Sequence, residues 1–393
     1  MHLFFSVTQT VHMKNPSSTS PRSTIFYYSS IIIGIVSIIL SVIFYQQQQQ
    51  GLETLTSISP LLHSLTSSLL LYFASQTNLT SNNTPHQQPK MATTRAIRKI
   101  FTAIEQAEGA GARVRRSIGT PQLRNFSPFL MLDHFSIKPG AGFPDHPHRG
   151  QETITYLLSG GVDHEDFAGN KGTIGPGDLQ FMTAGRGIMH AEMPRQNPDG
   201  SANVGLQLWV DLPAKLKSCE PRYRDLRAEE VPMAEVDGGK VKVKVISGRS
   251  GGVDSVKDLA YTPVWILDVE IQRGGRLSQE IPAGWNCFAY VLEGRVVVGR
   301  EGERQVAEQY SNVVFERDGG EGVEFSVDEG EEGKARLVLI AGEVLDQKVV
   351  QYGPFVLNSQ EEVYQAFSDF QNHENGFERG KGWESEIGKS MAR

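Results

Sequence analysis

Cysteine is nearly absent: the 393 residues contain two, Cys219 and Cys287, and neither has a close-spaced partner. That excludes a disulfide framework and a zinc site built on thiolates, and it points to a reducing compartment. An excess of positive charge is missing as well. Lys and Arg number 38 against 45 Asp and Glu, for a net charge of −7 and a pI near 5.9. A basic surface of the kind that nucleic acid or anionic lipid wants is therefore lacking, and no direct nucleic-acid binding is expected.

Acidic residues are scarce in one stretch. Residues 1–90 carry a single one, Glu53, and are rich in Ser, Thr, Leu and Ile. Within them Ile25 to Tyr45 runs 21 residues without a charge, long enough to cross a bilayer. Taken literally, this is a signal anchor with Lys14 and Arg22 on the cytoplasmic side, and Asn78-Leu-Thr80 and Asn82-Asn-Thr84 become glycosylation acceptors beyond it. A Ser-rich organelle-targeting segment is a second reading, although Arg is sparse for one. The favoured reading is that the functional protein begins at Met91, because nothing downstream looks secreted. The 91–393 core is then expected in the cytoplasm and nucleus, with a membrane tether only if 25–45 is retained.

What the remainder does contain is glycine and proline, 40 and 19 of them, scattered as suits many short strands joined by tight turns. Pro128–His134, Glu152–Leu158, Leu179–Thr183, Ile188–Glu192 and Leu206–Leu212 read as strands in a first block, residues 91–232. Val241–Ile246, Val264–Ile271, Cys287–Leu292, Arg295–Gly299 and Arg336–Ile340 read as strands in a second, residues 233–393. Gln360 to about Asn372 has helical spacing, with Ser359 as N-cap. The expectation is an all-β protein of two small barrels or sandwiches with a short C-terminal helix. Tyr156-Leu-Leu-Ser-Gly160 and Tyr290-Val-Leu-Glu-Gly294 occupy similar places, which suggests an internal duplication. The second block has no histidine between Ala191 and Asn372, so it cannot copy anything the first block binds with imidazole.

The first block carries His146-Pro-His148 and, further on, His190-Ala-Glu192. Alternate strand residues share a face, so each pair can point one way. Beside glycine-defined turns, and with Pro176-Gly-Asp178 between them, His146, His148, His190 and Glu192 form a candidate metal site. Three neutral nitrogens and a carboxylate suit iron, nickel, copper, zinc or manganese with open positions left. Pairing continued through Gly150 puts 146, 148, 152, 154, 156 and 158 on one interior face. Glu152, Asp178, Arg149 and Arg186 are candidates for orienting the ligands, or are ordinary turn and surface residues. His134 and His164 fall outside the pattern.

Phe143-Pro-Asp-His-Pro-His-Arg-Gly-Gln-Glu-Thr-Ile-Thr-Tyr-Leu-Leu158, His164-Glu-Asp-Phe167 and Pro176–Pro194 resemble the signature of the pirin family, in the cupin superfamily. Gly353–Phe367 and Asn375-Gly-Phe-Glu-Arg379 resemble that family's C-terminus. The resemblance covers about 91–393 and suggests a plant pirin-like member. It implies a bicupin: two β-barrels of the double-stranded β-helix type, with Fe(2+) in the N-terminal one on His146, His148, His190 and Glu192. Phe181 stands where the family often has tryptophan, and Ala168 where animal members often have cysteine. The resemblance implies a quercetin (flavonol) 2,3-dioxygenase acting with O2, in which Glu192 serves as base. It implies alternatively a redox-sensitive regulator in cytoplasm and nucleus that binds transcription-regulator or G-protein partners without turnover. A metal-carrying β-protein with no catalysis is the third reading.

Overall fold

Hydrogen bonding divides the chain into two halves, each with one large and one small antiparallel sheet. The computed structural model describes residues 93–138, 140–256 and 259–391. The apolar stretch 25–45 lies outside them. Among the described residues, no helix is long and apolar enough to cross a membrane.

The first strands are β1 (Ile97–Thr102), β2 (Ile104–Glu108), β3 (Ala112–Ile118), β4 (Phe129–Ile137), β5 (Phe143–His148) and β6 (Gln151–Ser159). They are followed by β7 (Val162–Asp166), β8 (Lys171–Ile174), β9 (Leu179–Thr183), β10 (Ile188–Pro194), β11 (Asn203–Asp211) and β12 (Arg222–Leu226). Seven of these form one sheet in the order β12-β9-β6-β11-β4-β3-β2, and four form another in the order β5-β10-β7-β8.

The second half begins with β13 (Met233–Val236), β14 (Val241–Ser247), β15 (Arg249–Ser250), β16 (Val253–Asp254) and β17 (Val264–Ile271). It continues with β18 (Arg276–Glu280), β19 (Asn286–Glu293), β20 (Arg295–Val298), β21 (Gln305–Glu308), β22 (Ser311–Phe315), β23 (Gly322–Ser326) and β24 (Ala335–Gly342). Here the sheets run β1-β22-β19-β24-β17-β14-β13 and β18-β23-β20-β21. The chain's first strand thus completes the second half's sheet, while β2, two residues later, pairs with β3 in the first.

The expected pair of closed barrels is corrected by this topology. A barrel needs an unbroken hydrogen-bonded ladder around its circumference, and every sheet here is open, ending in edge strands. In the first half the open edges are β12 and β2 of the large sheet and β5 and β8 of the small one. Gly150, at φ +78°, turns the chain from the small sheet into the large one, and a Cβ there would meet Val356 O at 2.0 Å. Each half is instead a sandwich of two open sheets. Between the sheets of the second half lies an apolar core of Val, Leu, Ile, Ala and Phe.

The two large sheets also pack on each other. Ile154, Tyr156, Phe181, Leu206 and Leu208 meet Ile266, Phe288, Tyr290, Val338 and Ile340 in one buried cluster. This corrects the expected facing of β6. Its even residues Ile154 and Tyr156 enter the joint between the halves, where the Tyr156 hydroxyl donates to Asp268 at 2.6 Å. Thr155 and Leu157 turn to the first sandwich's own interior.

After β24 come the short strands β25 (Val350–Tyr352) and β26 (Phe355–Leu357) and the helix α1 (Gln360–Asn372). The Ser359 hydroxyl accepts from Glu362 N and the Glu362 carboxylate accepts from Ser359 N, a capping box that starts the helix where its spacing predicts. Val363 and Ala366 bury one face. Asp369 pairs with Arg149 at 2.7 Å, and both side chains are buried. The end of the chain is thereby fixed beside the turn that follows His148.

Candidate metal centre

Pairing of β5 with β10 places His190 directly opposite His146 and Ile188 opposite His148. The ladder slips between His190 and Glu192, so that Glu192 faces Phe143. His146 and His148 share a face of β5, and His190 meets them from β10. Their ring nitrogens lie within 4.8 Å of one another, the only such histidine, cysteine or carboxylate group among the described residues. This three-histidine site is able to coordinate a divalent metal.

The proton inventory supports that fit. His146 Nδ1 donates to Pro144 O at 2.8 Å, which leaves its Nε2 bare. That Nε2 lies 2.9 Å from His190 Nε2, close to the ~3 Å separating two nitrogens bound at right angles to one ion at ~2.1 Å. His148 Nε2 is buried with no hydrogen-bond partner. Burial, and after it the proximity of His146, hold His148 and His190 well below the usual histidine range. The shift favours the neutral ring, the form in which imidazole binds a metal. Both cysteines are free, and burial pushes the Cys287 thiol up to about 12, so it offers no thiolate.

Glu192 stands apart from the triad's 4.8 Å group but lines the same cavity. Its Oε2 accepts from Gln207 Nε2 at 3.0 Å, and its Oε1 lies 3.0 Å from the Thr155 hydroxyl. The same hydroxyl is 2.7 Å from Gln207 Oε1. Threonine has one hydroxyl hydrogen, so it donates to one of these oxygens at a time. If it turns to Gln207, the remaining 3.0 Å contact is good only when Glu192 itself carries a proton. The three side chains therefore form a ring able to hold Glu192 with or without a proton.

The cavity has a volume of about 870 Å³. Val114, Leu130, Met131, Phe135, Ile137 and Phe143 supply apolar wall, and His146, His148 and Glu192 supply the polar end. Trp209 stands edge-on to the His148 ring, with centroids 5.1 Å apart. Gly353 and Pro354, between β25 and β26, close one side.

The four residues expected to orient the ligands are engaged elsewhere. Glu152 accepts from the Thr183 hydroxyl and from Tyr261 N and Thr262 N, tying the first half to a loop of the second. Asp178 accepts from Gly175 N, Ala228 N and Arg227. Arg149 holds Asp369, and Arg186 lies 3.1 Å from Glu220. His134 meets the Tyr290 hydroxyl at the joint, and His164 lies 3.4 Å from Asp225. The residues that do line the centre, Gln151, Thr155, Gln207 and Trp209, escape the sequence reading. Their signal is the polar phase of β6 and β11, which looks like a solvent face until both sides of the sheet are known to be covered.

Three convergent imidazoles on paired strands, inside an all-β sandwich, define a metal-binding protein of the cupin superfamily. The family description "Pirin" matches residues 111–210, and "Pirin C-terminal cupin domain" matches 266–376. The chain is 47% identical over 299 residues to Pirin of Homo sapiens, covering 76% of this chain and 100% of that one. It is 46% identical to Pirin-like protein of Solanum lycopersicum, covering 74% and 96%. The chain belongs to the pirin family. Among solved structures, a quercetin 2,3-dioxygenase from Acinetobacter baumannii is similar, with TM-score 0.65, 28% identity, and 71% of this chain and 98% of that one covered.

Proposed function

We propose that this protein is an iron(II)-dependent dioxygenase that opens the ring of a flavonol such as quercetin, with His146, His148, His190 and Glu192 as the metal ligands. The observation that carries the reading is the histidine triad set at the polar end of a large, mainly apolar cavity. The likeness to a structure named quercetin 2,3-dioxygenase supports the same substrate class.

A bound divalent iron would supply Lewis acidity toward the substrate's oxygens and access for dioxygen. The chain's own residues do the rest. The apolar wall strips water from a flat aromatic ligand and holds its ring plane. Glu192 takes the proton of the flavonol hydroxyl, a transfer that requires hydrogen-bond reach. As it does so, the Thr155 hydroxyl swings from Glu192 to Gln207 Oε1, and the new O–H of Glu192 finds Thr155 Oγ1 as acceptor. Gln207 Nε2 keeps the carboxyl in place throughout.

Anaerobic reconstitution with iron(II), then addition of quercetin and oxygen, tests the reading. Consumption of the flavonol with release of carbon monoxide and a ring-opened product is expected. Intact quercetin after many equivalents of oxygen would reject it for that substrate.

A further inference from the structure

Gln151 is wholly buried, and its amide Nε2 lies 2.7 Å from His148 Nδ1 and 3.4 Å from Pro354 O. Its Oε1 is buried with no partner, and so is His148 Nε2, on the opposite side of the same ring. In this orientation the amide donates to Nδ1, which forces the ring's proton onto Nε2. A ring protonated there cannot bind a metal through that atom. A metal on Nε2 puts the proton on Nδ1, and only an acceptor can then stand 2.7 Å away. The two ends of a carboxamide are nearly isosteric, and exchanging them brings Oε1 to Nδ1–H. That exchange gives the stranded oxygen a donor and lets the metal occupy the stranded nitrogen, at the cost of the long 3.4 Å contact from Nε2 to Pro354 O.

We infer that Gln151 is the positioning residue for His148: by presenting Oε1 to Nδ1–H it selects the ring tautomer that binds the metal. The inference rests on the histidine triad being the metal site. It does not depend on the reaction or on the substrate. Among the described residues no other side chain lies within hydrogen-bond distance of His148 Nδ1, so the tautomer rests on this one amide. The side chain is fixed by complete burial rather than by a second strong hydrogen bond, because the contact to Pro354 O is long.

The test is titration of the full chain, stripped of metal, with Zn2+ alone, for wild type, Gln151→Glu and Gln151→Leu. A carboxylate accepts from Nδ1–H and a leucine does not. Gln151→Glu is expected to keep wild-type affinity, and Gln151→Leu to lose about 10–100-fold, the usual effect of removing a partner behind a histidine ligand. A second reading needs no variant. Imidazole ¹H–¹⁵N correlation spectra of the zinc-loaded wild type should show His148 protonated at Nδ1. Wild-type affinity in Gln151→Leu, or a proton on His148 Nε2 with zinc bound, overturns the assignment while leaving the metal site standing. Failure of the wild type to take up zinc at all overturns both.

Discussion

At the scale of single residues, the centre depends on who owns each proton. His146 is set by Pro144 O, and Glu192 by a hydroxyl that serves two acceptors. Replacing Glu192 by Gln keeps the size and the contact to Gln207 but removes the group that takes a proton. Turnover of quercetin should fall about 10²–10⁴-fold, the range for loss of a general base, with the fold and melting temperature little changed. Stopped-flow single turnovers measure it, and an unchanged rate would remove Glu192 from the reaction. Thr155→Val removes the hydroxyl at constant volume and should slow the same step by a smaller factor.

The meeting of His146, His148 and His190 was readable from the sequence because strand alternation is a strict rule. His146 and His148 needed only a neighbouring strand carrying His190, and β5 and β10 are neighbours; the slip in their ladder that sets Glu192 apart has no sequence signal. Thr155 and Gln207 were not readable. In Thr153-Ile-Thr155-Tyr the threonines look solvated, and only the packing of a second large sheet on Ile154 and Tyr156 turns the polar side inward.

At the scale of elements, the C-terminal segment braces the metal strands. Arg149 donates to Asp369, to Arg186 O and to Asn375 O, and its guanidinium lies 4.8 Å from the centre of the Phe377 ring. Lys217 ties Gly150 O to Val356 O and pairs with Asp211, all buried. Asp369→Ala leaves the Arg149 charge buried and unpaired and should cost about 3–5 kcal/mol, whereas an apolar pair such as Arg149→Met with Asp369→Leu should cost far less. Urea denaturation of the metal-free protein separates the two. Equal losses in single and double variants would refute a charge-pair origin. The helix itself was legible to its ends, since Ser359 and Glu362 are local signals. Its docking partner Arg149 lies more than two hundred positions away in sequence, and no pattern announces it.

At the scale of the whole molecule, two duplicated sandwiches share a buried joint, and only the first carries imidazoles at its centre. His134 belongs to that joint. Burial, and after it the nearby Arg115, lower it from 6.5 to about 4. A histidine whose folded value is depressed contributes stability that is fully present above its unfolded value and is lost as pH falls toward the folded one. Stability of the metal-free chain should therefore be level above pH 6.5 and decline towards pH 4. His134→Gln should remove a part of that slope on the order of 3 kcal/mol. Melting curves across this range check it, and an identical slope in the variant would contradict the assignment.

The all-β class and the duplication were legible at this scale, in the strand rhythm and in Tyr156 and Tyr290. The topology was not. Whether a set of strands closes depends on pairing at its edges, and the chain's departure at Gly150 and the crossing of β1 into the other half are matters of register rather than composition.

The histidine geometry predicts one metal ion per chain, held by His146, His148 and His190, and none in the second half. Elemental analysis of chain purified under reducing, metal-replete conditions measures this directly, for wild type and for His148→Ala combined with His190→Ala. One ion per wild-type chain and none in the double variant is the predicted result; a metal-free wild type, or a double variant that keeps its metal, would contradict it.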